Sequence, residues 1–369
     1  MSELLQGGRT RRKRLRRWQR AGWLGVRGQR DGTRQRGLRR QRGGARRRRG
    51  GARGLRALGF GLLGLIAGVA ALLALMDSSA SGPTSVRLRS PKGNAAAAAA
   101  GPVTTRSQYG VKPAPPSERV SVHLKLPLRS GLLFDVRTGE VLWERRPETV
   151  LPIASLTKMM TALIVLAHSR PTDRVLITPA AVHFTGSGVG LLPLHKRVRE
   201  LALLYGLLLP SGNDAAIALA QHVAGTQGAF IAMMNARARA LGLGCTHFNS
   251  VSGIVDQHNH SCAADLALLA HEVVEQPLLG RIVASRSAIV PFPIKGGKLF
   301  LYNNNPLLAT DFAGTDGVKT GYTTASGPCL VATARRGRAW LGVVLLSSGN
   351  TLDQAETLLS AGFAKLRSG

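Results

Sequence analysis

The chain has 369 residues, room for one large domain or two small ones with a proper core, and carries a formal charge of +31. Residues 1–56 hold 21 of the 50 lysines and arginines but only Glu3 and Asp31 among the 19 acids, so +19 of that charge is a tail. The tail lacks a nucleic-acid-reading fold, so no nucleic-acid partner is expected.

Runs such as Arg11-Arg12-Lys13-Arg14 and Arg46 to Arg49, set among glycines, leave residues 1–56 too little apolar content to offset the ordering entropy of folding. They read as a disordered cytoplasmic segment. Residues 57–76, Ala57 to Met76, carry no charge, and as a helix at 1.5 Å per residue they span roughly 30 Å, one hydrocarbon core. The spacing predicts a single transmembrane anchor. Arginines before it and few after it orient the N-terminus to the cytoplasm and the remainder outside, with anionic lipid as the partner of the basic tail. Ser78-Ser79-Ala80 resembles the end of a cleavable signal, but a leader this long favours an uncleaved anchor. Residues 77–119 are rich in Ser, Gly, Pro and Ala, with Ala95 to Ala100 as a homopolymer, and read as a flexible linker.

Residues 120–369 read as one α+β unit. Leu132 to Val136 and Glu140 to Glu144 flank the turn signal Arg137-Thr138-Gly139, and Leu330 to Thr333 and Ala339 to Leu345 flank Arg335-Arg336-Gly337-Arg338. A mainly antiparallel sheet joining these distant hairpins is expected. Between them, Leu156 to His168, Ile217 to Val223, Phe230 to Leu241 and Ala263 to Val274 are apolar-rich helices, and Thr351 to Leu366 is a closing amphipathic one. The sheet is thus split in sequence by an inserted helical region and flanked by helices.

Three motifs carry chemistry. In Ser155-Leu156-Thr157-Lys158, Ser155 is the only Ser in the chain followed three positions later by a Lys, and that spacing on one helix face lets the amine of Lys158 act as base for the hydroxyl. A free lysine titrates near ~10.4, so this base needs burial or a second cation to lose its proton. Lys319 is the natural second cation. Ser211-Gly212-Asn213 follows Leu207-Leu208-Leu209-Pro210 and precedes a helix beginning near Ala215, where polar side chains emerge into a cleft. A copy, Ser348-Gly349-Asn350, precedes only the terminal helix and reads as a strand-end turn. In Lys319-Thr320-Gly321 a strand is interrupted by a glycine that permits close approach by a ligand, beside a cation and a hydroxyl suited to a carboxylate.

These motifs, and the longer blocks around them (Pro152 to Ala162, Leu207 to Ala216, Thr315 to Thr323), resemble the low-molecular-mass penicillin-binding proteins, the D-alanyl-D-alanine carboxypeptidase and endopeptidase family of serine peptidases. The resemblance runs from about Leu132 to Phe363 and implies a β-lactamase/DD-peptidase-like fold. It implies Ser155 as acylated nucleophile, Lys158 as its base, Ser211 as proton relay to the departing D-alanine and Asn213 as holder of the substrate amide. Lys319 and Thr320 would bind the terminal carboxylate next to Gly321, and the amides of Ser155 and Tyr322 would form the oxyanion hole. The implied substrates are peptidoglycan stem peptides, with β-lactams as inhibitors and neither cofactor nor metal. Carboxypeptidase action is the expectation. Cross-link endopeptidase is the alternative, since the all-β second domain of many carboxypeptidases is not seen before Gly369. A class A β-lactamase would need a glutamate after the second motif, and none lies between Glu200 and Glu272.

Two features stay open. The stretch His247 to Gly253 departs from the family's wording, which affects the specificity wall of the cleft. Cys245, Cys262 and Cys329 are an odd set; small buried thiols are the favoured reading, with a Cys245–Cys262 pair as the alternative. His258, His260 and Cys262 lack the paired spacing of a structural zinc module.

Overall fold

A computed structural model describes residues 110–367. The expected tail, membrane anchor and most of the linker lie outside the described residues. No helix among the described residues is long and apolar enough to cross a membrane.

The main sheet has six strands: β1 (Lys112–Pro113), β2 (Leu128–Asp135), β3 (Glu140–Arg145), β4 (Thr315–Thr323), β5 (Gly327–Arg336) and β6 (Ala339–Ser348). Their spatial order is β1-β3-β2-β6-β5-β4. Both hairpins form where the turn signals lie, and β6 joins them antiparallel, Val343 opposite Leu133 and Val344 opposite Leu132. The sheet is mixed in one place only: β1 pairs parallel with β3, Lys112 opposite Glu140. Regular structure therefore starts eight residues before Val120, and Ala114, within the stretch read as linker, is buried.

Seven helices of eight residues or more accompany it: α1 (Lys158–His168), α2 (Glu200–Leu208), α3 (Asn213–Ala224), α4 (Gln227–Leu241), α5 (Ala263–Glu275), α6 (Pro277–Ala284) and α7 (Thr351–Lys365). The period-2 geometry of the strands divides the core in two. Leu133, Leu330, Ala332, Leu341, Val343 and Leu345 pack with Leu358, Leu359 and Phe363 of α7. Alternate residues, Leu132, Phe134, Val331, Val344 and Leu346, pack with the helices of the inserted region. Covered on both faces, β5 and β6 read as near-continuous apolar runs rather than alternating ones.

The cysteine reading is corrected. Cys245 and Cys262 form a disulfide, with Cα atoms 5.6 Å apart, well inside the range a bridge can span. The turn after α4 brings Cys245 to the N-cap of α5, where Asp265 accepts from the Cys245 amide at 2.8 Å and from the Thr246 hydroxyl at 2.7 Å. Cys329 is the free, buried thiol, and burial pushes its pKa up to about 11. Bonded in this way, Cys262 offers no thiolate to His258 and His260.

Candidate active site

Ser155 does not sit in an α-helix as expected. It lies on a 3-10 turn, Ala154–Thr157, that runs directly into α1 at Lys158. In a 3-10 turn residues three apart eclipse one another, so the local geometry brings serine and lysine together more closely than an α-helix does. Ala154, just before the serine, holds a left-handed backbone at φ 47°, and Ser211 another at φ 68°. Both are uncommon for non-glycine residues and gather at this one place.

The Nζ of Lys158 is fully buried and has three neighbours: Ser155 Oγ at 2.9 Å, Asn213 Oδ1 at 2.7 Å and the backbone oxygen of Ser252 at 2.7 Å. Burial, then the nearby charge of Lys319, holds its pKa well below 10.5, with Asp214 opposing in part. A neutral amine has two N–H bonds and one lone pair. In the neutral form that the lowered pKa favours, Asn213 and Ser252 take the two donors and leave the lone pair for the serine hydroxyl.

Asn213, expected to hold the substrate, is engaged on both sides, because its Nδ2 also donates to Thr185 O at 2.8 Å. Ser211 is nearly buried, and its hydroxyl has no hydrogen-bond partner among the described residues. Lys319, buried on the edge strand β4, donates to Thr320 O at 2.9 Å, and burial lowers its pKa to about 7. Gly321 lies so close to the catalytic turn that a Cβ there would sit 2.9 Å from Ile153 O and 3.2 Å from the Ser155 amide nitrogen. Only a glycine lets the edge strand meet the serine turn in this way. Tyr322, by contrast, is 69% exposed.

Residues 247–259 supply contacts the motifs did not announce. Thr161 donates to Val251 O at 2.7 Å, and buried Asn259 donates to Thr157 Oγ1 at 2.9 Å while accepting from the Asn249 amide. Gly253, at φ 78°, abuts Ala154 O with no room for a Cβ. The segment that departs from the family's wording is thus a strut under the catalytic turn, and its Ser252 carbonyl aims Lys158. Asp214 is a second unannounced residue. Its carboxylate accepts from the amides of Val189, Gly190 and Ala215 at 2.9, 3.0 and 2.7 Å, pinning the loop that carries Thr185. A carboxylate in the first turn of α3 was a signal available in the sequence. The copy at Ser348 ends β6, and Asn350 caps α7, so it takes no part here.

A sheet edge carrying a buried lysine, set against a serine whose hydroxyl lies 2.9 Å from a second buried lysine of lowered pKa, has the make-up of an active-site-serine enzyme. Residues 119–350 match the family model for D-alanyl-D-alanine carboxypeptidase, and the chain belongs to this family of serine peptidases. It is 34% identical over 237 residues to a D-alanyl-D-alanine endopeptidase of Pseudomonas aeruginosa, covering 63% of this chain and 76% of that protein. A D-alanyl-D-alanine carboxypeptidase of Bacillus subtilis is 32% identical, covering 57% of this chain and 54% of its own length. Among solved structures, a mutant of a Streptomyces DD-transpeptidase superposes with a TM-score of 0.61 at 31% identity, covering 66% of this chain and all of that one. The chain thus spans between about half and three-quarters of the length of these two curated relatives.

Proposed function

We propose that the protein is a serine D-alanyl-D-alanine carboxypeptidase that removes the terminal D-alanine from peptidoglycan stem peptides. The observation that carries the reading is the buried Lys158 amine, its Nζ 2.7 Å from both Asn213 Oδ1 and Ser252 O and 2.9 Å from Ser155 Oγ. In the mechanism, Lys158 takes the Ser155 proton and Oγ attacks the carbonyl of the penultimate D-alanine. The amides of Ser155 and Tyr322 stabilise the oxyanion, an effect worth about 10²-fold to 10³-fold per donor in comparable enzymes. Ser211, whose hydroxyl is otherwise unpartnered, passes the proton from Lys158 to the leaving amine, the C–N bond breaks, and free D-alanine departs. Water then hydrolyses the ester and regenerates Ser155. Protonated Lys319 and the Thr320 hydroxyl hold the terminal carboxylate, and Asn213 acts as a positioning residue for Lys158. Acylation by penicillin follows the same route, and with no glutamate from Leu201 to His271 to activate a water, the acylated protein persists.

A cross-link endopeptidase is the second reading, favoured by the Pseudomonas relative, which carries that name and of which the chain covers 76%. Peptidoglycan fragments digested with wild type and with Ser155→Ala, then resolved by mass, separate the two. Loss of one alanine from monomeric stem peptides supports the carboxypeptidase, conversion of cross-linked dimers to monomers the endopeptidase, and equal products from Ser155→Ala would sink both.

A further inference from the structure

Away from the serine, three side chains from three elements converge: Asp173 in the turn after α1, Glu200 at the start of α2, and His222 in the last turn of α3. One ligand atom of each lies within 4.8 Å of the others. His222 Nε2 is 3.8 Å from Asp173 Oδ2 and 3.9 Å from Glu200 Oε2, too far for hydrogen bonds. Glu200 is the telling residue. Its side chain is fully buried, and neither carboxylate oxygen has a hydrogen-bond partner among the described residues. The nearby Ser169 hydroxyl spends its one proton on Val165 O at 2.8 Å.

A buried carboxylate without donors is costly, and proteins pair such groups with a charge or a metal. The arginines at hand do not serve. Arg174, Arg197 and Arg199 stand on the adjoining two-stranded hairpin and Arg170 precedes Asp173, yet among the described residues no arginine side chain forms an ion pair with either carboxylate. Asp173 Oδ2 accepts only the Arg170 backbone amide, at 3.0 Å.

We infer that Asp173, Glu200 and His222 form a structural binding site for a divalent first-row transition-metal ion, of which zinc is the type. One imidazole and two carboxylates are a donor set suited to such an ion, and they supply the two negative charges that neutralise it. Bonds of about 2.0 to 2.2 Å place tetrahedral ligand atoms about 3.3 to 3.6 Å apart, so the two histidine–carboxylate separations need to close by about half an ångström and the carboxylate–carboxylate one, within 4.8 Å, by at most about 1.5 Å. His222 reaches solvent, leaving a side for water as a further ligand. The site is distinct from the catalytic one, because His222 lies nine residues beyond Asn213, roughly 14 Å along α3. A bound ion would tie three parts of the helical region together: the turn after α1, the start of α2 and the end of α3.

The full chain, stripped with chelator under non-reducing conditions so that Cys245 and Cys262 stay bridged, is titrated with Zn²⁺ alone. Equilibrium dialysis should give one tightly bound Zn²⁺ per chain, with a rise in melting temperature of several degrees, about 4 °C or more when zinc far exceeds its Kd. His222→Gln, which alters a solvent-reaching side chain and should still melt cooperatively in chelator, is expected to weaken binding by at least about tenfold and abolish the rise. Glu200→Gln, an isosteric neutral change, should do the same. His247→Gln with His260→Gln, at the other histidine pair, should leave both readouts as in wild type. Absence of zinc binding by wild type, or equal binding and melting shift in His222→Gln, would overturn the inference and leave a cluster with no ion in it.

Discussion

At the scale of single residues, two lysines with different duties share one low-dielectric site. Lys158 must be neutral to accept a proton and Lys319 must be charged to hold a carboxylate, and burial lowers both. Lysine in the unfolded chain titrates near 10.5, so both groups gain protons on unfolding, and their contribution to stability rises with pH from about 7 to about 10.5 for Lys319. The slope is at most ~1.4 kcal/mol per pH unit for each group. Function runs the other way. Capture of a carboxylate by the free enzyme should weaken as pH rises through about 7, where Lys319 loses its charge. Stopped-flow acylation by penicillin should therefore show an alkaline fall that is absent in Lys319→Arg, whose guanidinium stays charged. The same fall in that variant would assign it to another group. The Ser155 and Lys158 pairing was legible because it is local. Ser252 was not, because Lys158 meets it across 94 positions, and Asp214 offered a helix-start signal but not its partner Gly190, 24 positions away.

At the scale of elements, the disulfide closes a loop over residues 245–262 that contains the whole strut beneath the catalytic turn. In the chain-entropy model, closing a loop with a sequence separation of 17 stabilises by about 3 kcal/mol. Denaturant unfolding of Cys262→Ser should show a loss of that order. Because Ser252 aims Lys158 from within this loop, the variant should also acylate more slowly with penicillin, while one that unfolds earlier but acylates at the wild-type rate would show the strut to be held by Asn259 and Thr161 instead. Cysteine count alone left the pairing open. What closes the bridge is the turn after α4, which carries Cys245 back to the start of α5, and no periodicity in the sequence records it.

At the scale of the whole molecule, the charge pattern of the sequence leads us to propose a catalytic unit tethered outside the cell membrane by residues 57–76, with a basic tail on anionic lipid. If the tail serves only the lipid surface, deleting residues 1–50 should leave penicillin acylation of Ser155 unchanged and weaken binding to vesicles containing anionic lipid. Loss of acylation on deletion would give the tail a part in the enzyme.

Hydrophobic periodicity, turn residues and three short motifs were enough, from the sequence alone, for the α+β class, both hairpins, the helical insertion and the contact of Ser155 with Lys158. Each rests on neighbours a few positions apart. The tertiary structure alone decided the left-handed turn at Ser211, the occupied amide of Asn213, the parallel entry of β1 and the strut under Ser155. Those depend on which distant backbone groups meet inside a dry core, where nearly all buried backbone donors and acceptors find a partner, and local pattern cannot say which partner that is.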